Sequence, residues 1–512
     1  MKEIEPFRGG LLALLTLALS LCTFMQVLDT SIANVSIPYI AGGLAVSNND
    51  GTWVITCFAV GNAIALPLTG WLAERFGSVK VMVLSTLLFT FTSWMCGGAF
   101  TFNMLIIMRF IQGLVAGPLI PLSQSLLLQN YPPKKRNIAL TIWSMIVVVA
   151  PVIGPIIGGW ITYNYSWPWI FYINIPVGIT SAFLIWHLLK GRESVVKKRP
   201  IDYLGLILLT LAVSALQILL DQGQQLDWFR NPIIKTLGVV SALSFIYLFI
   251  WELFHKDPLI DFRLLKNRNY AIGTFVTAVS YMVLFGTIVV SPLWLQDYQN
   301  YTATWAGLAI STMGIVPIFA SYPVAKMMNS MSLKPIIMTS FIAYALALFY
   351  FTSFTTNVSF AEVAMSRLLL GVGISFYLPP LISISMAHMP NEKLSSATGI
   401  YHFFRIFAGG AGTSLFVTLW ERRTSFHHSN LVSFLTPYYG AAKNRMQMLL
   451  DRGFSKEESY ALLNDITDQQ AAMLGVNDTF WVSGWIFITL IIFVFFFKKR
   501  ERFSKGELSS DG

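Results

Sequence analysis

Charged residues are scarce in this chain. Only 12% of its 512 residues are Asp, Glu, Lys or Arg, about half the share of an ordinary soluble domain. That excludes a water-soluble globular protein. A 55% hydrophobic and 14% aromatic content excludes disorder. Histidine (6) and cysteine (3) are also rare. Cys22, Cys57 and Cys96 fall inside apolar runs without metal or redox spacing, so they read as small buried hydrophobes. No GxxxxGK[ST] phosphate loop, metal-ligand cluster or nucleophile–base pattern occurs. An enzyme has no supporting residues. A transporter built from this chain carries no cofactor, and an ion gradient has to drive it. A transmembrane barrel would need short alternating segments, which are missing. A cleavable leader is also missing: the first apolar run, from Leu11, is too long and continues past an internal Asp.

What the chain has is long apolar runs, each of about the 20 residues that cross a bilayer. They predict spans near 11–35, 52–73, 79–98, 103–128, 137–162, 169–189, 202–221, 232–254, 270–295, 304–323, 334–352, 360–386, 395–420 and 477–498. This is an all-α polytopic membrane protein with fourteen spans and both termini on one side. The net charge of +10 is an orientation signal and does not point to nucleic acid. With the N-terminus inside, the inner segments hold 24 basic residues. The short outer loops hold Arg230 and Lys235 alone. That asymmetry places both ends in the cytoplasm. Three arginines, Arg109, Arg367 and Arg405, lie inside spans.

The sequence also repeats. An offset of 258 carries Arg109 to Arg367, Gly113 to Gly371, Pro121 to Pro379, Ser125 to Ser383, Pro132 to Pro390, Lys135 to Lys393, Ala139 to Ala397 and Gly154 to Gly412. Residues 1–200 and 259–512 therefore read as two related six-helix halves, with 201–258 an inserted pair. Parallel repeats around a central site are a secondary-transporter arrangement. The outer segment 421–476, partly helical in pattern from Tyr439 to Leu463, reads either as a solvated loop or as a docking surface for an outside partner.

Asp29 sits well inside span 1, where an ionised side chain costs at least ~2.5 kcal/mol unless it faces protein or water. Burial disfavours the charged form of any carboxyl, which suits a group that takes up and releases protons. Thr23, Gln26, Thr30 and Asn34 give the same helix a polar stripe. Arg109 in span 4 comes out at similar depth and is the natural counter-charge. A purely structural helix–helix bond remains the alternative for both. In APVIGPIIGG, Gly154 and Gly158 form a small-residue seam with Pro155 and Gly159 interleaved. Such a seam lets two helices approach closely and bend. Gly70, Glu74, Arg75 and Gly77 in GWLAERFGSVK suit a tight inner turn whose charges either latch neighbouring helices or only set topology. Met25, Gln26, Gln112, Gln124 and Trp143 are the candidates for a substrate pocket on spans 1, 4 and 5.

These segments resemble known signatures. GWLAERFGSVK, RFIQGLVAGP and APVIGPIIGG resemble the span 2–3, span 4 and span 5 signatures of the major facilitator superfamily. VLDTSIANVSIP resembles the span 1 signature of its fourteen-span drug:proton antiporter family, and WIFYINIPVG, LDWF and YTATWAGL are similar to further pieces of it. The resemblance implies a proton-driven exporter of hydrophobic drugs in a Gram-negative inner membrane. It implies a membrane-fusion adaptor and an outer-membrane channel as partners. It also implies that Asp29 and Arg109 are the proton-coupling pair. Export of one defined metabolite, such as a siderophore, is the alternative. The second-half copy of the span 2–3 signature, SYPVAKMMNSMSLK, lacks both the glycines and the acid.

Overall fold

The computed structural model describes residues 7, 9–132, 135–194, 196, 200–223, 226–256, 258–387, 389–436 and 438–498, without the side chains at 48, 49, 148, 152, 155, 303 and 321. Every regular element among the described residues is a helix. In hydrocarbon a backbone must satisfy its own polar groups, and a helix does so within one segment. Twelve helices are long and apolar enough to cross a bilayer, and two bent pairs raise the number to fourteen. Of the inner basic residues, Lys2, Arg8, Lys134, Lys197, Lys198, Arg199, Lys499, Arg500, Arg502 and Lys505 lie outside the described residues.

The spans are α1 (Gly10–Gly43), α2 (Trp53–Phe76), α3 (Ser78–Gly97), α4 (Phe102–Asn130) and α5 (Arg136–Asn164). Next come α6 (Trp169–Leu189), α7 (Tyr203–Gln222), α8 (Pro232–Phe254) and α9 (Arg268–Asp297). The last are α10 (Thr304–Ala320 with Tyr322–Ser330), α11 (Leu333–Phe351), α12 (Phe360–Ser385), α13 (Leu394–Val432) and α14 (Lys456–Phe495). In the first half, α1 packs on α5, α2 on α4 and α3 on α6. The second half has the same pairs: α9 on α13, α10 on α12 and α11 on α14. The halves meet where α2 touches α13 and α5 touches α10. The pair α7–α8 packs on itself, with α7 also lying against α2 and α13.

Two differences from the sequence reading stand out. Residues 421–476 are more helical than the partial pattern at Tyr439–Leu463 predicts: α13 runs on to Val432, a short helix covers Gly440–Asp451, and α14 begins at Lys456. At ~1.5 Å per residue, the 40 residues of α14 reach about twice the ~30 Å hydrocarbon core, so its first half stands outside the membrane. Polar contacts hold the extensions together: Arg423 and His427 each reach Asp478 at 2.6 Å, and His428 lies 3.2 Å from Asp468. Hydropathy stops at the first charged turn, so it missed helices that continue on polar contacts. The second difference is Cys57, which is half-buried, whereas Cys22 and Cys96 are buried as expected.

The α5 seam turns a proline defect into a contact. The helix bends by 44° between Arg136–Pro151 and Ile156–Asn164. Pro155 has no N–H for the carbonyl of Pro151, and the Ser31 hydroxyl of α1 donates to that carbonyl instead, at 3.0 Å. A Cβ on Gly154 would lie 2.5 Å from the Ser31 side chain, and one on Gly158 3.2 Å from the Ile32 backbone. Gly159 has nothing within 4 Å and is not part of the seam.

Candidate functional site: a buried ion pair and a closed inner end

Asp29 and Arg109 meet. Arg109 Nη1 donates to Asp29 Oδ2 at 2.6 Å, and the two residues are 0% and 2% exposed for Arg109 and Asp29. Asn174 of α6 donates to Asp29 Oδ1 at 2.8 Å, and Gln112 Nε2 reaches the same oxygen at 3.4 Å. Every donor aimed at Asp29 is an N–H, the complement of an acceptor-only carboxylate. Arg109 also donates to the Val54 carbonyl (3.1 Å) and to Gln112 Oε1 (2.8 Å). Its guanidinium carbon lies 4.4 Å from the centre of the Phe58 ring. One ion pair thus ties α1 to α4, and its neutral neighbours bring in α2 and α6. A buried pair of this kind is costly to break, because either partner alone is an uncompensated charge.

The five pocket candidates are at most 2% exposed. Gln112 belongs to the ion-pair cluster. Gln26 donates to Asn62 at 3.3 Å. Trp143 Nε1 donates to Ser123 at 2.9 Å and to Thr23 at 3.1 Å. Gln124 Oε1 bonds His402 Nε2 across the two halves at 2.5 Å. Met25 lies in the same apolar core. In this conformation these five residues are packed in the interior.

Contacts between the halves gather at the end of the bundle that carries the Gly70–Lys80 turn. Ser125 bonds Ser395 at 3.0 Å, and Ser383 donates to Asn137 at 3.1 Å. The offset of 258 carries Ser125 to Ser383 and Asn137 to Ser395, so the two bonds are images of each other. Asn137 also donates to Asn329 at 2.7 Å. Asn329 belongs to the second-half segment that lost its glycines and acid, so that segment still latches, through a neutral amide. Gly70 sits against Ser396, whose Cα would be 2.6 Å from a Cβ at that position. Gly77 turns the chain at φ +96°. Glu74 and Arg75 are half-buried and both have partners. Glu74 lines a small cleft with Lys393 and Asp261, which pair at 3.1 Å. The acid at the start of α3 is Glu193, accepting from the N–H groups of Val79 (2.8 Å) and Lys80 (3.1 Å).

Arg367 occupies the position that repeats Arg109, but has no carboxylate. Thr287 stands 258 residues after Asp29, and the Arg367 guanidinium lies beside the stacked rings of Phe351 (5.1 Å) and Phe480 (5.3 Å). Sequence reasoning missed Asn174, although it lies in the WIFYINIPVG segment as the only amide of that stretch. It also missed His402 and two acids near span ends: Asp221 of α7, bonded to Gln217 at 3.1 Å, and Glu252 of α8, 1% exposed.

The sequence profile of the Major Facilitator Superfamily matches residues 19–414. The chain belongs to that superfamily. This major-facilitator chain is 44% identical to the multidrug export protein EmrB of Haemophilus influenzae, over 97% of its own length and 98% of that protein's. It is 42% identical to the fatty acid resistance protein FarB of Neisseria gonorrhoeae, with the same two coverages. Among solved structures, its fold is similar to that of the proton:xylose symporter XylE, with a TM-score of 0.59 at 13% identity, covering 96% of this chain and 97% of that one. The major-facilitator assignment makes it a multi-pass membrane transporter.

Proposed function

We propose that this chain exports hydrophobic toxic compounds across a bacterial inner membrane in exchange for protons. It is the pump of a tripartite system with an EmrA-like membrane-fusion adaptor and a TolC-like outer-membrane channel. Both termini are cytoplasmic, and no cofactor beyond the proton gradient is needed. Residues 1–200 and 259–512 move as two halves, with 201–258 as an accessory pair. The observation that carries the reading is the fully buried Asp29–Arg109 pair, supported by relatives named for multidrug export.

In this reading the inner latch closes the molecule towards the cytoplasm. A proton from outside reaches Asp29. Protonation removes the negative partner of Arg109 and loosens α1 from α4. Compound leaves outward, the halves rock against each other where α2 meets α13 and α5 meets α10, and the proton passes to the cytoplasm as the pair re-forms. The packed centre of Gln26, Gln124 and Trp143 opens in the other state and receives compound. The test is drug-driven proton flux in proteoliposomes. Asp29→Asn abolishes it while the protein still inserts and purifies; normal flux in that variant overturns the role given to Asp29.

A further inference from the structure

The three intramembrane arginines have three different surroundings. Arg109 has Asp29. Arg367 lies beside the stacked Phe351 and Phe480 rings, its three nitrogens without a hydrogen-bond partner among the described residues. Arg405 of α13 has neither arrangement. It is 1% exposed, no carboxylate pairs with it among the described residues, and its Nε and Nη1 donors have no partner. Its one close stabilising contact is the Tyr281 ring of α9, 4.8 Å from the guanidinium carbon.

A guanidinium deep in a bilayer is costly unless it finds a partner, and open charged donors add to that cost. The surroundings of Arg405 suit an amphipathic anion. Tyr281 and Phe285 lie one turn apart on α9 with ring centres 4.4 Å apart, both half-buried. They form an aromatic strip leading from Arg405 towards the outer end of α9. On α13, Gly409 leaves room for this strip: a Cβ there would meet Tyr281 at 2.9 Å. His402 lies one turn before Arg405 on α13 and is bonded to Gln124, so it supplies no negative charge.

We propose that Arg405 anchors the acid group of an anionic amphipathic cargo, a carboxylate above all, while the Tyr281–Phe285 strip takes its apolar body. The open donors of the guanidinium match the carboxylate oxygens. Calling the anion a cargo rests on the export reading above. The binding site itself does not.

The experiment uses full-length protein in nanodiscs and two fluorescent probes, 1-pyrenebutanoate and its uncharged amide. The wild type binds the carboxylate about tenfold or more tighter than the amide, the scale of charge-assisted hydrogen bonds. Arg405→Gln removes that preference and leaves amide affinity unchanged; Arg405→Lys recovers part of it. Equal wild-type affinity for the two probes overturns the proposal whether or not the variants fold. A folded Arg405→Gln variant that keeps the preference also overturns it. Carboxylate preference without proton-coupled efflux supports the anchor and counts against the export reading. Efflux without that preference overturns the anchor and leaves export standing.

Discussion

The Asp29–Arg109 pair permits a test of energetics independent of transport. At 2.6 Å and an effective dielectric constant of about 20, the gross attraction is about 6 kcal/mol. Desolvation of both charges opposes it, and removing one partner of such a pair costs about 3–5 kcal/mol. In Asp29→Asn the cost falls towards the lower end, because Arg109 keeps the Val54 carbonyl and Gln112 Oε1. In Arg109→Gln the stranded carboxylate keeps Asn174 and Gln112. Each single variant therefore melts below the wild type in detergent. The double variant Asp29→Asn with Arg109→Gln melts above both, since it buries no uncompensated charge. The cycle gives a coupling energy of about 3 kcal/mol, and the double variant, though stable, exchanges no protons. Additive destabilisation, with the double variant the least stable of the set, would refute the claim that the two residues act as a unit.

Three further outcomes follow from geometry described above. Gly154→Ala places a methyl 2.5 Å from Ser31; it destabilises by about 1–3 kcal/mol and slows efflux, while Gly159→Ala, which meets nothing within 4 Å, leaves both unchanged. Asn137→Ala removes the bonds to Asn329 and Ser383, so a Ser395→Cys reporter is labelled several-fold faster by a hydrophilic maleimide from the inner side; unchanged labelling argues against the latch. At the start of α14, outside the bilayer, the backbone N–H of Ser455, then its hydroxyl, hold the Glu458 carboxyl below its ordinary value. The cap therefore stabilises above the unfolded value of about 4.3 and fades as pH falls through the folded one. Hydrogen-exchange protection of residues 456–459 drops over that window, and Ser455→Ala moves the onset to higher pH.

Much of this architecture is legible from apolar run lengths and Lys/Arg placement, because the bilayer imposes both. Asp29 and Arg109 were also legible, because charge inside a span is too costly to be incidental, and helical rise set them at one depth. Their neutral partners were not. Asn174 is an ordinary residue type whose importance comes only from α6 folding back beside α1. The latch was half legible: the offset of 258 picked out Ser125 and Ser383 as a repeat pair, but their partners Ser395 and Asn137 match in position without matching in residue type. The helical extensions of α13 and α14 escaped because pairs such as Arg423–Asp478 replace the apolar signal there.

The latch pairs two repeat-related neutral bonds, Ser125–Ser395 and Ser383–Asn137, with a third from Asn137 to Asn329. Opening the inner end has to break all three. Each is worth about 0.5–1.5 kcal/mol net, so the closed inner end is held by only a few kcal/mol. One elementary charge crossing 100 mV releases about 2.3 kcal/mol. The bolt is thus weak enough for a membrane voltage to throw, and a pair of buried salt bridges in its place would have jammed it.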